Sequence, residues 1–208
     1  MNNLFSKLVA TVIILLLAPL YCMIFLFILI HFVKPIYISS RLGLNGKLFP
    51  MYKFVSLKSN FVKGFLTTSN DSSFYYFSKF LRNSKLDELP QLFNIVFGHM
   101  NWIGPRPSHA EIIKFYKKSD KLIILSIKPG LTDISTLIYG IKSDRHIINK
   151  SKIEYFRKIE KKKIFLRKLY IKNQSLLLNL KIIILTILCY FSLLKINEKN
   201  YRKYFNYN

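Results

Sequence analysis

The sequence predicts a mainly helical α/β fold with one small β-hairpin, preceded by an apolar helix that enters a membrane. Three observations support this prediction. Residues 8–33 carry no Asp, Glu, Lys or Arg, apolar residues recur at helical spacing in several later segments, and an Asn-Gly pair separates two β-rich runs. We expect three parts within the 208 residues: a membrane helix at 1–34, a core domain at 35–175, and an interfacial helix with a basic tail at 176–208.

The N-terminal apolar run, Leu8–Val33, is 26 residues long. It therefore exceeds the roughly 20 residues that a helix needs to cross the hydrocarbon core. Basic residues dominate the chain after it, which predicts that the remainder lies in the cytoplasm. Pro19 interrupts the run and bends the helix. A bent helix either spans the bilayer as a kinked anchor or dips into one leaflet and returns, and the residues alone slightly favour the anchor.

The composition predicts an anionic partner. The chain carries 33 basic and 10 acidic residues, giving a formal net charge of +23, and 51% of its residues are hydrophobic. That hydrophobic content excludes a mainly disordered chain, whereas the charge suits nucleic acid or anionic lipids. Because no nucleic-acid motif or ordered array of base-facing aromatic residues accompanies the charge, we predict anionic membrane lipids and no nucleic acid. Cys22 and Cys189 lie in apolar runs and are expected to be buried, reduced thiols.

The first half of the core domain predicts a hairpin followed by two helices. In "PIYISSRLGLNGKLFPMYKFVSL", Asn45-Gly46 supplies the positive backbone angles of the turn. Residues 60–73 are polar and predict a loop, after which Phe74–Leu81 has the spacing of a short amphipathic helix. Pro90 tolerates only the first turn of the next helix, so we expect Asp87 to be its N-cap. An apolar stripe on this helix faces the core.

The second half predicts loops rich in proline and glycine between helices. Asn101–Pro107 and Lys128–Asp133 are expected to be irregular, with a helix over Ala110–Lys118 between them. The basic stretch 142–172 predicts helix in part. Leu176–Leu194 is apolar but contains lysine, asparagine and threonine, which favours a helix lying in the membrane interface, with a short span as the alternative.

Asp87 and Glu88 are the only adjacent acidic residues in the chain. Each alone has a structural role, Asp87 as a cap and Glu88 as a first-turn acid that complements the helix dipole. Together with Arg106, presented by the stiff loop at 101–107, they describe a phosphate site. We expect the positive surroundings to lower the pKa of Asp87 and keep it ionised as a nucleophile toward phosphorus. Glu88 is then the residue suited to hold Mg²⁺.

The segment "RNSKLDELPQLFNIVFGHMNWIGPRP" resembles the signature of the bacterial sugar transferases, which are small monotopic phosphoglycosyl transferases. An apolar N-terminal helix broken by proline, "GLNGKLFPMYKF", "KPGLTD" and "YIKNQSLLLNLKIIILTI" occur in the family's order. Five segments in register are a strong match, and they cover nearly the whole chain. The resemblance implies a cytosolic catalytic unit with interfacial amphipathic helices and an N-terminal helix that is re-entrant, which reverses the preference for a spanning anchor.

The resemblance also implies a reaction and the residues that perform it. Asp87 attacks the β-phosphate of a UDP-sugar and releases UMP, and polyprenol (undecaprenyl) phosphate then takes the sugar 1-phosphate, in the first membrane step of capsule, O-antigen or related glycan synthesis. Glu88 contributes to catalysis and to Mg²⁺ binding, while Arg82, Arg106 and Lys53 contact phosphates. The implied location is the bacterial inner (cytoplasmic) membrane, with the catalytic face in the cytoplasm, and a homo-oligomer is compatible with it.

Three positions depart from the family's pattern. Val55 stands in place of a basic residue, His99 in place of Asp, and Asp133 in place of the second Gly of the "PG-T-G" loop. The Gly-Arg-Asn segment that follows this loop is not recognisable, although Gly140 and Arg145 lie nearby. These changes affect the expected recognition of the nucleotide sugar more than the phosphoryl chemistry. The alternative to an active transferase is therefore a catalytically impaired member that acts as a membrane scaffold or binding protein.

Overall fold

The computed structural model describes residues 3–31, 34–56, 76–140 and 159–205. It is mainly helical with two small sheets, which confirms the coarse fold class. The helices are α1 Asn3–Leu16, α2 Ala18–His31, α3 Tyr76–Asn83, α4 Gln91–Val96, α5 Ala110–Ile113, α6 Lys118–Ile124, α7 Ile134–Tyr139, α8 Lys161–Lys172, α9 Leu176–Tyr190 and α10 Tyr201–Tyr204. The strands are β1 Ile36–Leu42, β2 Leu48–Phe54, β3 Asn101–Ile103 and β4 Gly130–Thr132.

The N-terminal apolar run forms two helices that meet at a sharp bend. Helices α1 and α2 break at Leu17 and are inclined by 64° to each other. Pro19 lies in the first turn of α2, where its missing N–H costs nothing, so the predicted bend is confirmed. Within the described ranges, no single helix has the length and apolar composition to cross a membrane, but Leu4–Leu16 and Ala18–Leu29 satisfy this test together.

The predicted hairpin is present. Strands β1 and β2 pair antiparallel from Ile36 opposite Phe54 to Leu42 opposite Leu48. The connection contains Asn45 with φ of 54° and Gly46 with φ of 74°, the left-handed conformations that an Asn-Gly pair adopts most readily. The predicted loop at 60–73 lies outside the described residues.

Helix α4 runs along the free edge of β2. The Asn94 side chain accepts a hydrogen bond from the Tyr52 backbone N–H at 3.1 Å and donates to the Pro50 carbonyl at 2.6 Å. Leu92, which belongs to the predicted stripe of Leu89, Leu92, Phe93 and Val96, packs with Met51 in the core. Ile95, which the stripe did not include, packs there too, whereas Phe93 and Val96 are only partly buried. Helix α1 packs on α4 in turn, so the acid-bearing turn before α4 is held from two directions.

Asp87 is not the N-cap of α4, so that expectation is wrong. Pro90 occupies the cap position and no side chain bonds there. Asp87 instead lies in a separate 3-10 turn, Leu86–Glu88, which precedes the helix. The proline is rigid enough to start the helix without a side-chain cap, because its ring already sets a helical φ, and here φ is −60°.

Two segments expected to be irregular contain short strands. Strands β3 and β4 pair in parallel, with Asn101 opposite Gly130 and Ile103 opposite Thr132. The pairing requires glycine at Gly104 and Gly130, since a Cβ on Gly130 would lie 2.1 Å from the Gly104 nitrogen. The glycines that suggested loops therefore permit two strands to approach closely.

The helix predicted over Ala110–Lys118 is confirmed only at its start, as α5, and a second helix, α6, begins at Lys118. Lys117 interrupts them, because its φ of −62° and ψ of 150° are extended. The prediction for the basic stretch is confirmed where the structure describes it, as α8, while residues 142–158 lie outside the described ranges.

The largest buried cluster lies among α7, α8 and α9. Ile134, Tyr170 and Ile182 are fully buried within it. Cys189 is buried there as predicted, but Cys22 is exposed on α2, which contradicts its expected burial. Helix α9 begins at Ser175, whose hydroxyl caps the Leu178 N–H at 3.2 Å.

Asp133 begins α7 as a buried N-cap and is connected to an ion cluster. Its carboxylate accepts hydrogen bonds from the backbone N–H and hydroxyl of Thr136, at 2.6 and 2.7 Å. The Arg167 guanidinium of α8 lies 3.9 Å away and pairs with Glu160 at 3.0 Å. Arg167 also donates to Ser108 at 3.3 Å, which ties α8 to the loop that carries Arg106.

Candidate active site

The two adjacent acids lie in the 3-10 turn Leu86–Glu88, directly before α4. Lys85 enters the turn in a left-handed conformation, with φ of 55°, and its carbonyl accepts a hydrogen bond from the Glu88 N–H at 3.0 Å. A second bond joins the Leu89 N–H to the Leu86 carbonyl at 3.2 Å. This tight turn sets the two consecutive acidic side chains in different surroundings.

Glu88 is the centre of a cationic group. Its Oε1 accepts hydrogen bonds from Lys53 Nζ at 2.9 Å and from the Arg106 guanidinium. Burial acts to raise the pKa of Glu88, but the charges of Arg106, Lys53 and Lys85 outweigh it and hold that pKa well below its ordinary value. Glu88 is therefore ionised. It holds Lys53 and Arg106 in position, the two residues expected to contact substrate phosphates.

The pKa of Asp87 is shifted in the opposite direction to that of Glu88. It is 7% exposed, and its Oδ1 receives no hydrogen bond from any residue in the described part of the chain. Burial, and then the neighbouring Glu88 charge, raise the pKa of Asp87 to about 6 against the opposing charges of Lys53, Lys85 and Arg82. The expected lowering of this pKa is therefore wrong, because desolvation and the adjacent acid exceed the attraction of the cations.

All five predicted site residues meet in one place. Lys53 comes from β2, Arg106 from the loop after β3, and Arg82 from the last turn of α3, where its charge acts on Asp87. Arg106 is further placed by its Nη1, which lies 3.5 Å from the Leu131 carbonyl of β4. Lys53 and Arg106, which are distant in sequence, thus join Arg82 at the acidic turn that follows α3.

Arg41 and His109 join the same group, although neither is among the site residues predicted from the sequence. Tyr37 pairs with Lys53, and Arg41 lies four residues beyond Tyr37 on β1, so Arg41 and Lys53 share one face of the hairpin. The Leu42 N–H donates to the Ser108 carbonyl at 3.2 Å, which brings the loop bearing His109 against β1. Strand alternation within the predicted hairpin is the signal that could have identified Arg41.

The charges of this group repel one another. Burial and the Arg106 charge lower the pKa of Arg41 to about 10, and burial together with Arg41 and Lys53 lowers the pKa of His109 to about 4. Arg41 donates through Nε to the Ser39 hydroxyl at 3.3 Å, and no acidic side chain of the described residues forms an ion pair with it. An anion bound beside Arg41 would relieve this repulsion.

Comparison with known proteins identifies the family. The model of the family described as bacterial sugar transferase matches residues 1–193. The chain belongs to this family. That membership confirms the resemblance carried by the acidic signature and the segments around it.

Three bacterial relatives illustrate the similarity. The chain is 36% identical over 156 residues to a Klebsiella pneumoniae protein named UDP-glucose:undecaprenyl-phosphate glucose-1-phosphate transferase, covering 71% of this chain and 30% of that protein. It is 31% identical over 183 residues to the Escherichia coli K12 protein of the same name, covering 86% and 37%. It is 36% identical over 116 residues to a Salmonella typhimurium undecaprenyl-phosphate galactose phosphotransferase, covering 48% and 24%. The chain thus spans roughly a quarter to a third of the length of these relatives.

The three departures from the sugar transferase pattern have structural explanations. Val55 packs beside the cluster of Phe54 and Leu81, and the His99 ring lies against Phe49, with centroids 5.6 Å apart. Asp133 caps α7. Among the described residues, none of the three is a group whose charge or hydrogen bond acts on Asp87 or Glu88.

The donor set at the acidic turn suits a metal that is shared with a substrate. Groups of three or more His, Cys, Asp or Glu side chains that could hold a metal are absent from the described part of the chain. Mg²⁺, however, is commonly held by one or two carboxylates together with substrate phosphates. Asp87 Oδ1 has no donor from the described residues, and only one oxygen of Glu88 is paired within them. These residues fit Mg²⁺ once a diphosphate is bound.

Proposed function

We propose that this sugar transferase moves a sugar 1-phosphate from a UDP-sugar to polyprenol phosphate and releases UMP. The observation that carries the proposal is the buried Asp87 Oδ1, which receives no hydrogen bond from the described residues and lies beside Lys53 and Arg106, two cations that share the carboxylate of Glu88. The relatives' names give undecaprenyl phosphate as the acceptor and UDP-glucose as one donor, and these molecules supply the substrate classes proposed here.

In the first step, an Asp87 carboxylate oxygen attacks the β-phosphorus, which bears the sugar. The new oxygen–phosphorus bond forms as the bond from that phosphorus to the bridging oxygen breaks, and UMP leaves with the electron pair. Lys53, Arg106 and Arg82 neutralise charge on the phosphate oxygens. Glu88 holds Lys53 and Arg106 in position by accepting a hydrogen bond from each.

In the second step, a phosphate oxygen of polyprenol phosphate attacks the phosphorus of the aspartyl phosphosugar. The bond from Asp87 to phosphorus breaks, which regenerates the carboxylate and gives a polyprenyl diphosphate sugar. Glu88, with Asp87, is the residue that would hold Mg²⁺, and when bound that ion supplies positive charge against the diphosphate. The pKa of Asp87, about 6, leaves the carboxyl mostly ionised at neutral pH.

We further propose that the bent helix pair enters the cytoplasmic leaflet of the bacterial inner membrane and returns. Large apolar side chains such as Leu8, Leu16 and Leu26 are exposed along both helices. Contact between so much apolar surface and water is unfavourable in free energy. The 64° bend suits a re-entrant path. Anionic lipids are the expected partners of the basic surface.

The membrane path predicts where the N-terminus lies. A cysteine introduced as Asn2→Cys, in a chain carrying Cys22→Ser and Cys189→Ser, should react with a membrane-impermeant maleimide only after cells are permeabilised. Lys199→Cys in the same background is the matched control for the cytoplasmic C-terminal part. Labelling of residue 2 in intact cells would establish a spanning helix.

The reaction is tested by UMP release. The purified protein should release UMP from at least one member of a UDP-sugar panel when undecaprenyl phosphate and Mg²⁺ are present, and removal of Mg²⁺ with EDTA should stop the release. The panel should include the glucose, galactose and N-acetylgalactosamine donors that the relatives' names suggest. Binding of UDP-sugars without UMP release would favour the impaired, scaffolding alternative.

Arg41→Gln is expected to weaken donor binding without destabilising the protein. A charge-assisted hydrogen bond to phosphate contributes about 1.5–3 kcal/mol, so the KM for the UDP-sugar should rise by about 10- to 100-fold. The unfolding temperature should stay unchanged or rise, because the substitution removes repulsion between Arg41 and Arg106. Lys47→Gln, at an exposed position in the hairpin loop, is the control. An unchanged KM for Arg41→Gln would exclude a donor contact.

A further inference from the structure

A cavity of about 610 Å³ lies beside the acidic turn and is distinct from the charged site. It is a groove, open on one side, between α2, the β1–β2 hairpin and α4. Its volume falls in the range of about 300–1,000 Å³ that is typical of small-molecule sites. The lining is aliphatic and aromatic, with one cysteine and one proline, and includes Tyr21, Cys22, Ile38, Phe93 and Phe97.

The hairpin separates this cavity from the charged site. Ile38 pairs with Tyr52 across the hairpin, and both line the cavity, as does Phe54. Lys53 lies between Tyr52 and Phe54, and its side chain reaches Glu88. Because neighbouring side chains on a strand point to opposite faces, Lys53 on one face of β2 reaches the acidic turn, while Tyr52 and Phe54 on the other face line the cavity.

The cavity and the acids nevertheless share one edge. Pro90 lines the cavity and follows Asp87 by three residues, a rise of about 6 Å at the 2 Å per residue of a 3-10 turn. The Tyr21 hydroxyl, from the opposite wall, donates to the Leu89 carbonyl at 2.6 Å. The wall of the cavity is therefore bonded to the residue that follows Glu88.

We propose that this cavity holds the isoprene units of the acceptor that are nearest its phosphate. The inference rests on the proposed function. In a prenyl phosphate the first isoprene is joined directly to the phosphate, so an apolar site for it must begin close to the nucleophile. This cavity begins at Pro90, three residues after Asp87. A nucleotide sugar is a poor occupant, because its hydroxyls and phosphates would lose hydrogen bonds to water without replacement.

The opening of the cavity favours a long chain over a compact ligand. Leu26 on α2, Ile38 on β1 and Phe97 after α4 line the cavity and are also exposed at its rim. The apolar lining thus continues outward onto the exposed apolar surface of α2. A lipid whose first units lie in the cavity can extend its remaining units along that surface without crossing a polar barrier.

The test separates the two half-reactions. Without acceptor, the transferase should release up to one UMP per enzyme molecule as the aspartyl phosphosugar forms; turnover beyond this needs polyprenol phosphate. Cys22→Trp places an indole ring in the cavity and should leave this burst intact while lowering kcat/KM for undecaprenyl phosphate by about 10-fold or more. Met23→Trp adds the same side chain at the next position of α2, which is 63% exposed and outside the cavity lining; it should match the wild type.

The outcomes are distinguishable. Equal acceptor kinetics in Cys22→Trp and Met23→Trp would overturn the cavity assignment, whereas absence of a burst in the wild type would overturn the proposed function instead. If Cys22→Trp loses the burst through misfolding, Ile38→Trp, at the exposed rim, repeats the test with exposed Leu48→Trp as its control.

Bilayer phospholipid could also supply an apolar chain, and labelling separates the two sources. A photoreactive polyprenyl phosphate, with the reactive group on its first isoprene units, should label cavity residues of the wild-type protein in nanodiscs. Unlabelled undecaprenyl phosphate should suppress the labelling and added phospholipid should not. Suppression by phospholipid instead would assign the cavity to bilayer acyl chains and overturn the proposal.

Discussion

Asp87→Asn should lower UMP release by at least about three orders of magnitude. The amide has nearly the same shape as the carboxylate, so it fits the buried position of Asp87 without new packing. It lacks the anionic oxygen that must attack phosphorus, and the surrounding cations cannot replace that function. In addition, intact-mass measurement should detect a phosphosugar adduct on the wild-type protein and none on the variant.

Asp120→Asn provides the matched control for this experiment. Asp120 lies on α6 and pairs with Lys168 at 2.7 Å, outside the acidic turn. The same chemical change there should leave UMP release within about twofold of the wild type, since isolated partly exposed ion pairs contribute at most about 1 kcal/mol. Undiminished release from Asp87→Asn would refute its role as the nucleophile.

Arg167→Met should reduce the free energy of unfolding by about 3–5 kcal/mol, the cost of leaving a buried partner uncompensated. Arg167 is 5% exposed and lies between Glu160 and Asp133, which are 3% and 0% exposed. It also donates to the Tyr116 hydroxyl at 2.8 Å. Without the guanidinium, Glu160 must either remain charged in a buried site or take up a proton.

Chemical denaturation in detergent, followed by tryptophan fluorescence, measures this loss. Lys168→Met is the control on the same helix, because Lys168 is 39% exposed and its pair with Asp120 should contribute little. Equal stability of the two variants would show that the buried cluster is not stabilising.

The pH dependence of this destabilisation follows from Glu160. Burial raises its pKa, but the Arg167 and Lys163 charges lower it overall. The contribution of the Arg167–Glu160 ion pair to stability is therefore fully present above the ordinary glutamate pKa of about 4.5. It is lost as the pH falls through the lower pKa that Glu160 has in the folded protein. The difference in the free energy of unfolding between the wild type and Arg167→Met should therefore become smaller at acidic pH, because a proton then neutralises Glu160 in the variant.

Local signals predicted the parts of the fold that depend on neighbouring residues. Asn45-Gly46 identified the hairpin, Pro19 identified the bend between the first two helices, and the apolar spacing identified Leu92 as a buried residue of α4. Each of these features is determined by backbone preferences or by helical spacing, which a single segment contains.

Features that depend on distant contacts were not predictable in this way. The β3–β4 pair joins residues about 29 positions apart, and each strand is too short to show a period of two. His109 joins the group of Arg41 and Lys53 only through tertiary packing, because the loop that bears it lies against β1. The pKa of Asp87 was predicted in the wrong direction for a related reason, since the extent of burial cannot be read from the charges beside it.

Asn94 determines more than the position of α4. By accepting from the Tyr52 N–H and donating to the Pro50 carbonyl, it recognises two backbone groups of β2 that are two residues apart. A shift of β2 by one residue would break both bonds and turn Lys53 toward the apolar cavity, while an aromatic ring faced the acids. The Asn94 amide thus fixes the register of β2 and keeps the charged site and the apolar cavity on opposite faces of the hairpin.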